Sequence, residues 1–155
     1  MVTCEKYSPN MSFEWDKFVQ SSRTPLFMFE RSFVDYHANR FEDSSLILTD
    51  DSGIIALMPA NKVGNEIVSH GGLTYGGLIF AKKFSAEKML DAVGILIETI
   101  QGWGIKSLIY KSVPYIFHDQ PCDEAIYALT RNGASIYKRD LSSVIRLADR
   151  LDFSN

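Results

Sequence analysis

The chain has 155 residues, 46% hydrophobic and 23% charged, with a formal net charge of −3. That length and composition fit one folded domain and exclude a disordered chain, and the absence of any Lys/Arg cluster excludes a nucleic-acid footprint. The longest apolar run, Ala92 to Ile97, is too short to span a bilayer and the N-terminus lacks an apolar signal core, so a cytoplasmic location with no membrane span is expected.

The first periodic segment runs from Ser12 to Ser21, with Ser12 as expected cap, Glu14 and Asp16 in the first turn, and Trp15, Phe18 and Val19 on one face. Pro25 interrupts, and Phe27 to Tyr36 reads as a second, aromatic-rich helix. Two β-prone runs follow, Ser45 to Thr49 and Ile54 to Met58. The turn residues Asp50 to Gly53 between them predict a hairpin. Pro59 and the stretch Asn61 to Asn65 close the second strand. Further short strands are expected at Glu66 to Ser69 and Leu78 to Phe80.

Ser85 to Trp103 is the clearest helix: Ser85 can cap it, Met89, Val93, Leu96 and Ile100 recur at helical spacing, and Gly104 stands where a C-terminal cap belongs. A buried strand at Ser107 to Tyr110, a helix at Cys122 to Asn132, and one long or bent strand at Ala134 to Leu147 complete the order. The fold class is therefore α+β (mixed α/β), a largely antiparallel sheet flanked by helices, with crossovers in its second half.

Chemistry concentrates in two segments. Ser69-His-Gly-Gly-Leu-Thr-Tyr-Gly-Gly77 places glycines at 71, 72, 76 and 77, where backbone takes unusual torsions or approaches something closely. Ser69, His70, Thr74 and Tyr75 add hydroxyls and an imidazole, so the segment reads as a wall for a polar ligand or, alternatively, as a structural bend. It carries no nucleotide fingerprint. His70 can exchange a proton near neutral pH or simply fix the loop, and Tyr75 can donate a proton or line a pocket. The second segment is Arg31 to Asp43. On a helix, Phe33, Tyr36, His37 and Arg40 would share a face suited to an anionic or sugar-bearing ligand, although Arg40 could equally pair with Glu42 or Asp43.

Cys4 and Cys122 match no metal or redox spacing and read as free thiols. Asp119, Asp123 and Glu124 argue against a nucleophilic Cys122. The three histidines form no close-spaced pair, so no metal is expected, and His118 reads as a loop residue.

Taken together, Arg31-x-Phe33-x-Asp35-Tyr36-His37-x-x-Arg40-Phe41-x-Asp43-x-Ser45-Leu46, Ile55-Ala-Leu-Met-Pro59-Ala-Asn61 and the 69–77 segment resemble bacterial acyltransferases of the GNAT superfamily, of the Fem-like type that acts on amino sugars in surface-polysaccharide pathways. The resemblance runs from about Trp15 to about Leu147. It implies N-acyl transfer from a thioester on coenzyme A or acyl carrier protein, as co-substrate, to the amine of a nucleotide-linked amino sugar. The amine would attack the carbonyl, a base would accept its proton, and backbone amides would stabilise the oxyanion. On that pattern His70 is the base, Tyr75 an acid toward sulfur, and the backbone of Gly71, Gly72, Gly76 and Gly77 the pocket wall. Tyr36, His37, Arg40, Ser69 and Thr74 then contact the acceptor.

Two departures bear on the expectation. Members of this type carry a second, similar half, so the chain is expected to be a single GNAT-like domain equivalent to an N-terminal half, pairing with another half or forming a homo-oligomer. The donor loop of the superfamily, with spaced glycines before a helix, is absent: its place, Leu78 to Ser85, reads Leu-Ile-Phe-Ala-Lys-Lys-Phe-Ser, leaving Lys82 and Lys83 to offer charge. A non-catalytic sugar-nucleotide-binding module, or a structural subunit completing another acyltransferase, is the competing expectation.

Overall fold

A computed structural model describes residues 1–120, 122–145 and 148. Its centre is the hairpin of β3 (Leu46–Asp50) and β4 (Gly53–Met58), paired antiparallel from Leu46–Met58 with a register shift after Leu48. The turn closes where the Ser52 N–H donates to Asp50 Oδ1 at 2.8 Å. β1 (Thr3–Lys6) pairs antiparallel with the outer edge of β3, and β7 (Ile79–Phe80) with that of β4.

β3 is apolar on both faces because both are covered. Leu46 and Leu48 face the helices α3 (Ala86–Gly102) and α4 (Glu124–Arg131), whereas Ile47 packs with Trp15 and Val19 of α1 (Ser12–Ser21). Each such side chain contributes about 1.5–3 kcal/mol on burial, which anchors both helical layers to one hairpin.

A second set of strands carries the chain toward the site. β2 (Glu42–Asp43) pairs with β5 (Asn61–Val63), and β5 with β6 (Glu66–Val68), both antiparallel. β6 then pairs parallel with β8 (Ser107–Ile109) across the α3 crossover. α3 begins as its sequence predicts: the Ser85 hydroxyl accepts the Lys88 N–H at 3.2 Å, and Met89, Ala92, Val93, Leu96 and Ile100 turn inward. Mixed α+β architecture with a largely antiparallel sheet is thus what the chain adopts.

Several expectations are corrected. Phe27 to Tyr36 is not one helix but a 3-10 turn (Phe27–Phe29), an extended Glu30, α2 (Arg31–Val34) and a second 3-10 turn (Asp35–His37). The cause lies in α1, whose side chains take the backbone groups a continuous helix would use. Trp15 Nε1–H donates to the Phe29 carbonyl at 2.8 Å, and Asp16 accepts the Arg31 N–H at 2.7 Å. Met11, rather than Ser12, holds the N-cap position of α1, with no side-chain cap bond.

Asn61 to Asn65 is not a plain loop, because Asn61–Val63 forms β5. Ala134 to Ile145 shows no strand and pairs with no described strand. Ile136, Tyr137 and Leu141 lie exposed there, and the charged run Lys138-Arg139-Asp140 breaks the apolar alternation a buried strand needs. Arg146 and Leu147 fall outside the described residues. No helix among those described is long and apolar enough to cross a membrane.

Candidate active site

The 69–77 loop leaves β6 as a tightly tethered excursion. The Ser69 N–H donates to Ile109 O at 2.9 Å, and Ser69 Oγ, fully buried, accepts the Lys111 N–H at 2.7 Å. At the far end the Gly76 N–H returns to Lys111 O at 2.9 Å. Between these points the Lys111 ammonium donates to the carbonyls of Leu73 at 2.8 Å and His70 at 3.1 Å. One lysine therefore closes the loop on itself.

The glycines answer to neighbours inside the protein. A methyl at Gly76 would overlap the Ser69 carbonyl oxygen, and one at Gly77 would stand 2.7 Å from the Tyr110 ring. Gly77 also sits at φ 81°, where glycine is favoured. At Gly71 and Gly72 an added methyl would meet the Phe41 ring, at 3.2 and 2.9 Å. Phe41 thereby brings together the two segments the sequence singled out. The Gly71 N–H is taken by the buried Asn61 side chain at 2.6 Å, while Gly71, Gly72 and Thr74 keep an exposed outer face.

His70 is the one described non-glycine residue with positive φ, 64°, and it is 2% exposed. Neither ring nitrogen has a hydrogen-bond partner among the described residues. Burial, and then the Lys111 ammonium, push its imidazole down to about 4, with Asp43 opposing. His70 is therefore neutral at pH 7. Tyr75 packs its ring on Phe117 in a stacked pair, centroids 5.2 Å apart.

The expected helical face at 33–40 is not assembled, because the helix is broken. Tyr36 is 78% exposed and lies edge-on to His37 at 4.7 Å, and Arg40 projects to solvent. The buried cation is instead Arg31, which pairs with Asp35 and Asp43, donates to Ser45 Oγ at 3.2 Å and lies 3.8 Å over the Tyr7 ring. Its i,i+4 spacing to Asp35 was the signal available in the sequence.

A cavity of about 210 Å³ opens where β7 and the chain leaving β8 part. Leu78, Phe80, Val113 and Ala125 make its apolar lining. Arg23, Thr24, Tyr110, His118 and Cys122 supply polar groups. The Tyr110 hydroxyl accepts the Leu78 N–H at 3.0 Å, and burial pushes its pKa up to about 12. Burial likewise raises the Cys122 thiol, with Glu124 adding to the effect, so it stays protonated. Thr24 Oγ1 and both ring nitrogens of His118 are shielded from solvent and have no partner among the described residues.

Arg23 also fixes the segment 82–84, which stands in place of a glycine-rich donor loop. Its guanidinium donates to Phe84 O at 2.7 Å and Lys82 O at 3.1 Å, and Lys82 pairs with Asp119 at 3.5 Å. Arg23, Thr24, Phe41, Asn61 and Lys111 were not singled out in the sequence as site groups. Their partners lie far along the chain, and no local spacing signals them. Among the described residues no group of three His, Cys, Asp or Glu is placed to hold a metal.

No family model matches the chain, and no curated protein matches its sequence. Solved structures do. An aminoglycoside N-acetyltransferase in complex with CoA superposes with a TM-score of 0.59 at 12% identity, covering 94% of this chain and 95% of that one. A GNAT family acetyltransferase from Brucella melitensis in complex with acetyl-CoA gives 0.52 at 10% identity, covering 88% and 84%. The ribosomal-protein-S18-alanine N-acetyltransferase from Escherichia coli gives 0.48 at 14% identity, covering 70% of this chain and 64% of that one. At these identities the likeness concerns the fold: the chain has the GNAT acetyltransferase fold.

Proposed function

We propose that this chain is an N-acyltransferase, or the acceptor-binding half of one, moving an acyl group from a CoA or carrier-protein thioester to the amine of a nucleotide-linked amino sugar. The observation that carries the reading is the cavity between β7 and residues 110–113. It is mostly apolar and edged by a few polar groups, which suits a thioester and the adjoining arm of its carrier. Folds that match this one hold CoA or acetyl-CoA in their own structures.

The amino-sugar acceptor is supported by the aromatic rim of the same cavity. Tyr115, 81% exposed, lines the cavity and offers a flat apolar face to a sugar ring beside the thioester. In this reading the amine approaches across the rim while the loop holds the wall, and Tyr36, His37 and Arg40 meet the nucleotide's phosphates. His70, neutral and buried, fixes the loop, and the domain pairs with a second half or copy.

Incubation with acetyl-CoA and a panel of uridine-diphosphate amino sugars tests this directly: acceptor-dependent release of free thiol is expected. A second reading is favoured by one observation, the closure of segment 81–85 by Arg23 in place of a glycine-rich donor loop. A non-catalytic sugar-nucleotide module would bind the same nucleotides by calorimetry and release no thiol with any donor. Absence of both binding and thiol release sinks the acyltransferase reading and its alternative together.

A further inference from the structure

We propose that His118 accepts the proton of the attacking amine; the assignment rests on the reading of the cavity as the thioester site. His118 ends a 3-10 turn (Tyr115–Phe117), its own N–H bonded to Tyr115 O at 3.1 Å. The next N–H, of Asp119, is bonded to Arg23 O at 3.0 Å. The backbone on both sides is therefore fixed, and the imidazole is held at the cavity wall rather than swung through solvent.

A neutral imidazole carries one donor and one acceptor, and leaving such groups unpaired out of solvent costs about 1–3 kcal/mol. Folded proteins leave few groups in that state. Here two of them, the His118 ring and the Thr24 hydroxyl, come from separate stretches of chain and converge on one cavity. That convergence points to a ligand with both a hydrogen-bond donor and an acceptor, as an amine meeting a thioester carbonyl provides.

Three other cavity groups already have partners. The Tyr110 hydroxyl holds the Leu78 amide, the Arg23 guanidinium holds the Lys82 and Phe84 carbonyls, and the Cys122 thiol is protonated and faces Glu124. Tyr115 and Asp123 complete the titratable lining but are not among the groups shielded from solvent without a partner, and Asp119 beside His118 is occupied by Lys82.

In the step assigned here the amine lone pair attacks the thioester carbonyl carbon, forming the C–N bond. The Thr24 hydroxyl donates to the carbonyl oxygen, and the surplus amine proton passes to a His118 ring nitrogen. The tetrahedral intermediate collapses with cleavage of the C–S bond, the electron pair leaving on sulfur. The imidazolium then returns its proton to the thiolate, leaving His118 neutral.

Two measurements on the full chain test the assignment. His118→Gln and His118→Ala should each lower kcat by about 10²–10⁴-fold, with the acetyl-CoA dissociation constant unchanged within about threefold. In a histidine-ring NMR titration with acetyl-CoA, the His118 signals should move and those of His70 should stay. Retained turnover in both variants, equal loss of binding and turnover, or an unmoved His118 ring in acetyl-CoA-saturated protein would overturn it. A wild-type chain that binds no acetyl-CoA removes the cavity reading itself, and this assignment falls with it.

Discussion

His70 and His118 share one peculiarity, two ring nitrogens kept from solvent without partners, yet their surroundings are opposite. His70 sits in a loop whose glycines are pressed against Phe41, Tyr110 and the Ser69 carbonyl, and it is not among the residues that line the cleft. His118 stands on a short turn at the wall of an open cleft. On the assignment proposed above, a place on the cleft wall, rather than residue type, is what separates the two imidazoles.

The sharpest way to break this contrast is Gly76→Ala. The new methyl meets the carbonyl of Ser69, a residue fixed through its N–H to Ile109 and its hydroxyl to Lys111, so a loss of about 3 kcal/mol in urea unfolding is expected. An unchanged midpoint would mean that the loop is not close-packed.

Next comes the pH dependence. The folded imidazole of His70 titrates near 4, below its ordinary 6.5, so the unfolded chain binds more protons between these values. Stability should therefore be unaffected above about pH 6.5 and fall as pH drops toward 4, by up to about 3 kcal/mol. His70→Gln should flatten that slope. A slope that persists unchanged would place its origin elsewhere.

Lys111→Met removes the charge that gathers the loop carbonyls and should cost about 2 kcal/mol. It should also raise the His70 pKa, read by NMR, because the ammonium is the second cause of its depression. The smallest effect belongs to the cleft. His118→Leu should leave stability within about 1 kcal/mol, or raise it, since an unpaired polar ring is replaced by an apolar one. A large loss there would recast His118 as scaffold.

Much of the fold was legible in the sequence because the signals were local. Ser12–Ser21, the α3 cap at Ser85 and the hairpin around Asp50-Asp-Ser-Gly53 rest on spacing and turn chemistry within a few residues. The break at Glu30 was not legible, because Trp15 and Asp16 impose it from another helix. β1 and β5 were missed for a related reason: their residues are polar and mostly unburied, and pairing alone makes them strands. At the site, the glycine loop was legible as an unusual demand on the backbone, but its cause, the Phe41 and Tyr110 rings, lies about thirty residues away on either side. The cavity was invisible for the same reason, since it is made where chain segments from 23 to 126 meet.

The double grip of residues 110 and 111 has a mechanical consequence. Tyr110 holds the start of β7 through Leu78, while Lys111 holds both ends of the loop that precedes it. The gap between the two strands is thus riveted at a set width and cannot yawn without tearing several bonds at once. A guest must match the slot as it stands, so entry should be selective by thickness and the amides of Gly76 and Lys111 should be slow to exchange in deuterated water, although both lie outside any strand.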